Sequence, residues 1–148
     1  SGGAATNIFK ITGGDVTIKN LTLRDGLARG GHGGNAGRLV RHGSGGGGAG
    51  MGGAVTIATG NVTIDSVSFI DCHFDRLRTD MRGGESTTRM GNVIHQSAGS
   101  ALFQGCTFDQ NALNGSSSSH YDLKGGVYYL ADGSVYLENC SLEDCRTR

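Results

Sequence analysis

The chain has 148 residues, the size of one domain, and its 13 basic and 13 acidic residues balance to a formal net charge of +0. This balance does not indicate a nucleic acid or an anionic membrane as a partner, and no apolar run is long enough for a membrane-spanning helix. Glycine is the outlier of the composition, with 28 residues, while 36% of the residues are hydrophobic and can form a core.

Four segments of the chain share one pattern of apolar positions. They are GDVTIKNLTLRD at 14–25, GNVTIDSVSFID at 60–71, GSALFQGCTFDQ at 99–110 and GSVYLENCSLED at 133–144. In each, two apolar residues alternate with polar ones, the spacing then lengthens by one residue, and the alternation resumes. The residues at this step are Asn20, Ser66, Gly105 and Asn139, and asparagine and glycine tolerate a left-handed backbone. We therefore predict a left-handed residue at this step, between two short strands that face one interior.

A third apolar stretch precedes each of these segments. The four stretches are IFKI at 8–11, AVTI at 54–57, VIHQ at 93–96 and VYYL at 127–130. Their phase is ambiguous, because Gln96 faces inward if Val55 and Ile57 do, whereas His95 faces inward in the opposite phase. The register of this first strand is therefore left open.

Three short strands, repeated four times with one phase, predict an all-β fold, namely a parallel β-helix (solenoid) of about four three-strand rungs. The single domain, 1–148, would have rungs at about 7–25, 53–71, 92–110 and 126–144 and loops at 26–52, 73–91 and 111–125. The loops would project at one corner, and equivalent residues would stack about 4.8 Å apart in columns. An antiparallel sandwich is the alternative, but it gives no reason for one repeated template.

The predicted loops contain most of the candidate contact residues. Their basic and imidazole side chains, which an acidic partner could fix in place, are Arg29, His32, Arg38, Arg41, His42, Arg76, Arg78, Arg82 and Arg89. The first loop is rich in glycine, which equally fits a flexible loop, and it lacks the residue order of a phosphate-binding P-loop. The second loop mixes its arginines with acidic residues, as solvated surfaces commonly do.

The 4 cysteines predict neither a metal site nor a disulfide framework. No histidine lies at zinc spacing from a cysteine, so we expect no metal and no cofactor. Cys106 and Cys140 occupy the same column position in consecutive units, but their parallel Cβ vectors favour reduced core thiols over a disulfide. Cys72 and Cys145 share another column two units apart, which is too far for a bond.

One column of acidic residues raises the question of catalysis. Asp25, Asp71 and Asp144 are equivalent, and Gln110 interrupts the column. Pectate-lyase-like β-helix enzymes use clustered carboxylates, calcium and a basic residue on an outward strand face, but no basic outward residue stands beside this column in a second unit. Acids at strand ends are typically turn residues, so we expect no catalytic residues and keep a lyase-like or carbohydrate-binding activity as the alternative function.

A column of hydroxyl side chains suggests a further alternative. It consists of Thr22, Ser68, Thr107 and Ser141. Ice-binding β-helices present flat arrays of threonine, whereas this column is one residue wide and has mixed neighbours. Ice binding is therefore a minor alternative.

Three strings in the chain resemble a known repeat. GGAV at 52–55, GGVY at 125–128 and FDQN at 108–111 resemble the Gly-Gly-Ala-Ile and Phe-x-x-Asn repeats of polymorphic outer membrane proteins. The resemblance spans nearly all of the chain. It implies a right-handed parallel β-helix used for adhesion or assembly, with no catalytic residues to carry over.

Together these observations favour a non-enzymatic structural or interaction module that docks through its lateral loops and end rungs into a larger assembly or cell surface. End rungs are unpaired β-edges, which invite another chain. We expect them to be covered by other protein chains, copies of this chain or further parts of a longer protein. A glycan is a second partner class, and we expect neither nucleic acid nor a membrane span. The expected location is extracellular, at the cell surface or in an organelle lumen.

Overall fold

The computed structural model describes residues 1–3, 6–28, 50–74, 88–91, 93–111, 122–124 and 126–145. In these ranges the backbone forms 15 strands and no helix. The described part of the chain therefore contains no helix that is long and apolar enough to cross a membrane.

The strands are short except for two. In chain order they are β1 (Phe9–Ile11), β2 (Asp15–Arg24), β3 (Leu27–Ala28), β4 (Gly50–Met51), β5 (Val55–Ile57), β6 (Asn61–Ile70), β7 (His73–Phe74), β8 (Thr88–Met90), β9 (Ile94–Gln96), β10 (Ser100–Gln104), β11 (Thr107–Asp109), β12 (Asp122–Lys124), β13 (Tyr128–Leu130), β14 (Ser134–Glu138) and β15 (Ser141–Glu143).

These strands pair in parallel and form four sheets. The largest contains six strands in the order β14-β10-β6-β11-β15, with β2 also paired to β6, and a second sheet has the order β1-β5-β9-β13. The smaller sheets are β12-β8-β4 and β3-β7. The register sets equivalent positions of the four sequence segments side by side, as in the row Val16, Val62, Ala101 and Val135.

The predicted closed β-helix is wrong. The parallel strands belong to separate sheets, of which the two largest have four and six strands, and among the described residues no strand of one sheet pairs with a strand of another. A closed solenoid of three-strand rungs is therefore not shown. Two features explain the error. Asn20 and Ser66 lie inside continuous 10-residue strands instead of separating pairs of short ones, and β3, β4, β7, β8 and β12 lie in ranges expected to be loops.

The predicted step in the backbone is confirmed. The φ angles at the step are 56° at Asn20, 54° at Ser66, 57° at Gly105 and 53° at Asn139. A second row of positive φ, which the pattern did not reveal, follows the segments at Asp25, Asp71, Gln110 and Asp144. A left-handed residue other than glycine costs about 1–2 kcal/mol. Each row is sustained because neighbouring strands take the same conformation at the same position.

One apolar core holds the two largest sheets together. It consists of Ile11, Ile18, Leu23, Ala54, Val55, Ile57, Val62, Ile64, Val67, Phe69, Cys72, Val93, Ile94, Ala101, Phe103, Cys106 and Phe108. The alternation predicted for 60–71 is confirmed, since Val62, Ile64, Val67 and Phe69 are all buried. Phe69 stacks on Phe108 with ring centroids 4.7 Å apart and an interplanar angle of 2°. The aromatic rings fill the centre of this core.

The strands of ambiguous phase, β5 and β9, are buried on both faces. On one face, Thr56 donates a hydrogen bond from Oγ1 to the carbonyl of Met51 at 3.1 Å. His95 stacks on Tyr129 on the same face, and burial lowers the pKa of its imidazole. Gln96 is fully buried on the other face. Both phases of the sequence pattern therefore led to buried side chains, which is why the pattern could not separate them.

The row that contains Phe69 and Leu142 offers a matched test of the core. Phe69 is 0% exposed and Leu142 is 57% exposed, and both pair in register with Phe108. We expect Phe69→Asp to abolish the cooperative thermal melt, since it removes a core ring worth about 3–5 kcal/mol and buries an unpaired charge. Leu142→Asp should change the free energy of unfolding by less than about 1 kcal/mol. A cooperative melt in the Phe69 variant, followed by circular dichroism, would reject this arrangement of the core.

Gly99 offers a second test, because it packs backbone against backbone. Its φ is +86°, and a Cβ there would lie 2.2 Å from the carbonyl oxygen of Gly60. We expect Gly99→Ala to destabilise the protein by more than about 2 kcal/mol in urea denaturation, through strain and displacement of the neighbouring strand. Gly126→Ala is the control, since a Cβ there has no neighbour within 4 Å. Equal denaturation midpoints for the two variants would contradict this expectation.

Candidate functional site

In both of the largest sheets, the first strands of the chain lie at one end and the last strands lie at the other. Strands β1 and β2 lie at one end, and strands β13, β14 and β15 lie at the other. Within the described residues, β13, β14 and β15 each pair with a strand on one side alone. Their outer edges therefore present backbone N–H and C=O groups that can pair with a further strand.

The strands at the second end expose apolar side chains at core positions. Leu137 is 48% exposed, although it pairs in register with Phe103, which is 0% exposed. Leu142 is 57% exposed and continues the row of the buried Phe108. These leucines are exposed because, in the described part of the chain, no further strand lies over them. The second end is therefore an uncovered continuation of the core.

The first end is more nearly closed. Phe9 and Leu21 are each 38% exposed, whereas Ile18 and Leu23 are buried. Residues 1–3 lie against one corner of this end, where the amide of Gly2 donates a hydrogen bond to the carbonyl of Arg24 at 3.0 Å. The hydroxyl of Ser1 donates to Asp25 Oδ2 at 3.2 Å. Among the described strands, β1 pairs with β5 alone and β2 with β6 alone, so the other edge of each has no paired strand.

The two ends differ in charge. Strands β1 and β2 carry three basic side chains, Lys10, Lys19 and Arg24, against one acidic side chain, Asp15. Strands β13, β14 and β15 carry two acidic side chains, Glu138 and Glu143, and no basic side chain. One end of the pair of sheets is thus basic and the other acidic.

The predicted carboxylate column lies at a backbone turn. Asp25 and Asp71 have positive φ, and their amides donate to the carbonyls of Ile70 at 3.1 Å and Asp109 at 3.2 Å. Asp25 also contacts Arg24 Nε at 3.2 Å, and Asp71 contacts His73 Nδ1 at 3.4 Å. Asp144 takes the same backbone conformation in the last segment. Among the described residues, no group of three or more His, Cys, Asp and Glu side chains is arranged to hold a metal ion.

Almost all of the candidate contact residues in the predicted loops lie outside the described residues. They are Arg29, His32, Arg38, Arg41, His42, Arg76, Arg78 and Arg82. The backbone of Arg89 lies in β8, in register with Gly50 and Leu123. A contact surface formed by these side chains stays a prediction.

The prediction of reduced thiols is confirmed, since all four cysteines are free. Cys106 Sγ lies 3.4 Å from the carbonyl oxygen of Ile64, and Cys140 Sγ lies 3.6 Å from that of Phe103. Burial raises the pKa of Cys72 to about 11, and burial also raises the pKa of Cys106. The thiols of Cys72 and Cys106 are therefore protonated at neutral pH and act as core residues with a weak hydrogen bond to the backbone.

Sequence reasoning missed the buried amide of Asn111 and left the burial of Gln96 open. Asn111 is 2% exposed, accepts a hydrogen bond from the amide of Cys72 at 2.9 Å and donates one to the carbonyl of Phe69 at 3.0 Å. The signal that could have identified it is the Asn of the FDQN string at 108–111. Asn111 satisfies the backbone where the chain turns out of β6.

Gln96 makes a similar network at the other side of the core. Its Nε2 donates to the carbonyls of Gly99 at 2.9 Å and Ser134 at 3.2 Å, and its Oε1 accepts from the hydroxyl of Tyr128. Burial raises the pKa of Tyr128, so this hydroxyl stays protonated and continues to donate. The network attaches β13 and β14 to the body of the protein.

No protein-family model, no curated protein and no solved structure shows significant similarity to this chain. The resemblance to polymorphic outer membrane protein repeats therefore stays a prediction.

The hydrogen bonds of Asn111 provide a test. Asn111→Ala would leave the buried carbonyl of Phe69 and the amide of Cys72 without their partner, at about 1–3 kcal/mol each. We expect the free energy of unfolding in urea to fall by about 2–6 kcal/mol in total. The control is Gln110→Asn, an exposed change that keeps a residue tolerant of its φ of 54° and should cost less than about 0.5 kcal/mol. Similar losses in both variants would contradict a structural role for the Asn111 amide.

Proposed function

We propose that this chain is a non-enzymatic interaction module that docks onto another protein chain through the edges of its terminal strands. The observation that supports the proposal is the pair of half-exposed leucines, Leu137 and Leu142, which stand at positions where neighbouring strands bury phenylalanine. Apolar side chains that line up with a core and remain exposed are typical of an interface.

The physical basis of docking is strand addition. A strand laid beside β14 and β15 would pair its backbone groups with theirs and cover the leucines, and each Å² of apolar surface removed from water contributes about 25 cal/mol. Strands β14 and β15 are short, at 5 and 3 residues, and carry Glu138 and Glu143. Short, charged edges discourage indiscriminate pairing. The edges therefore suit a partner that brings complementary charge.

The alternative functions receive less support. Asp25 and Asp71 lie at backbone turns, where Asp25 contacts Arg24 and Asp71 contacts His73. This arrangement is typical of turn residues and gives little support to a lyase site. The loop arginines remain a proposed second contact surface, through which the module could reach an acidic partner. Assembly at a cell surface, outside the cell or in an organelle lumen is the setting that we propose for it.

The experiment compares two variants that each gain one aspartate. The purified chain, Leu142→Asp and Thr107→Asp are immobilised and incubated with extract of the native material, and any retained protein is identified, purified and titrated against all three. Thr107 is exposed but lies in β11, inside the six-stranded sheet. We expect the original chain and the Thr107 variant to bind the partner equally, and the Leu142 variant to bind at least about tenfold more weakly.

Two results would overturn the proposal. One is equal binding of every partner by the original chain and by Leu142→Asp. The other is turnover of an anionic polysaccharide such as polygalacturonate with calcium, lost on Asp71→Asn, because this would make the chain an enzyme.

A further inference from the structure

We propose that the partner of these edges is a second copy of the same chain, stacked head to tail. The head edge is defined as the open edge of β1 and β2, and the tail edge as the open edges of β13, β14 and β15. In the stack, the tail edge of one copy pairs in parallel with the head edge of the next. This inference rests on the proposed function, because it names the partner of the same edges.

The first argument is the register between strands of the chain. Ile18 pairs with Ile64, which pairs with Phe103, and the row ends at Leu137. If the register continues across the junction, Leu137 of one copy lies beside Ile18 of the next, and Leu142 lies beside Leu23. The same continuation places Leu130 beside Ile11 in the other large sheet. Every core row would then place an apolar side chain against an apolar one.

The second argument is the complementary charge of the two edges. Lys19, Asp65, Gln104 and Glu138 share one register row. Gln104 Nε2 lies 2.9 Å from Glu138 Oε2, so side chains of adjacent strands reach each other in this row. Stacking would bring Lys19 of the next copy to the other side of Glu138. Head-to-head contact would instead bring together two edges that each carry mainly basic side chains, and tail-to-tail contact would bring together two acidic edges. Charge therefore selects the head-to-tail arrangement.

A polar ladder supports the same register. Asn61 Nδ2 donates to Asp15 Oδ1 at 2.8 Å, and Ser100 Oγ donates to Asn61 Oδ1 at 2.8 Å. Ser134 is the last member of this row. Across the junction, the hydroxyl of Ser134 would meet the carboxylate of Asp15, which accepts hydrogen bonds. The ladder would thus continue into the next copy.

One corner of the head edge must open for the stack to form. The amide of Gly2 bonds to the carbonyl of Arg24, at the position where Glu143 of the other copy would pair. Docking displaces residues 1–3, and Arg24 then exchanges its exposed contact with Asp25 for one with Glu143. Breaking the contacts of residues 1–3 opposes docking and so weakens the association. Because the head edge and the tail edge differ, every stack keeps one free edge at each end. Further copies can therefore add to it, and the linear stacks lengthen as the protein concentration rises.

The test is sedimentation velocity of the full chain over a concentration series, with charge reversals at exposed positions. The original chain should show a weight-average sedimentation coefficient that rises without a plateau at the dimer. Lys19→Glu and Glu138→Lys should each weaken association about tenfold, because every junction then holds two like charges. A one-to-one mixture of the two variants, and the double variant Lys19→Glu/Glu138→Lys, should recover it. Circular dichroism and thermal melting confirm that each variant is folded.

Each other outcome counts against the inference. A chain that stays monomeric, a dimer that does not grow, single reversals without effect, or a mixture that fails to recover association would each overturn head-to-tail stacking. If the original chain is monomeric while Leu142→Asp still loses binding to another protein, self-stacking is wrong and the proposed function stands. If neither association nor captured binding depends on Leu142, both proposals are wrong.

Discussion

The constraint on which the rest of the structure depends is that each of the four repeated segments must step into the left-handed region at the same position as its neighbours. The step residues Asn20, Ser66, Gly105 and Asn139 all have φ between 53° and 57°. If one segment lacked the step, each side chain beyond it would change face, and polar residues would enter the core. Ser66 is the least suited of the four to this conformation, and its hydroxyl donates to Asp65 Oδ1 at 2.8 Å. Its neighbours in the row hold it there, since any other conformation would break the register on both sides.

The sequence allowed the inward positions and the backbone step to be predicted, because both are visible within a segment of a dozen residues. It did not reveal how the strands group into sheets. Strands β3, β4 and β7 are 2 residues long, and such strands are too short to show an alternating pattern. The phase of β5 and β9 was hidden because both of their faces are buried. At the candidate site, the repeated pattern implied open edges, whereas the exposure of Leu137 and the cover over Arg24 depend on three-dimensional packing.

Buried amides supply a specificity that the apolar rows lack. Valine, isoleucine, leucine and phenylalanine recur in these rows, so apolar contact alone does not determine which segment lies beside which. Asn111 bonds to Phe69 and Cys72, and Gln96 bonds to Gly99, Ser134 and Tyr128, so each amide joins particular strands. An unpartnered buried amide is costly, which makes a slipped arrangement unfavourable. The network of Gln96 also fixes β13 and β14, the strands that form much of the tail edge.

The same similarity between rows explains why the ends are selective but open. A row that accepts isoleucine, phenylalanine or leucine from its own chain accepts the same residues from another, so the core pattern alone would favour any in-register contact. Selectivity must come from groups outside the core, namely Lys19 and Arg24 at one end and Glu138 and Glu143 at the other. Exposed charges contribute little to affinity, but like charges at the wrong junction oppose it and opposite charges set its direction. The apolar rows then supply the contact area, and the charges determine which two edges pair.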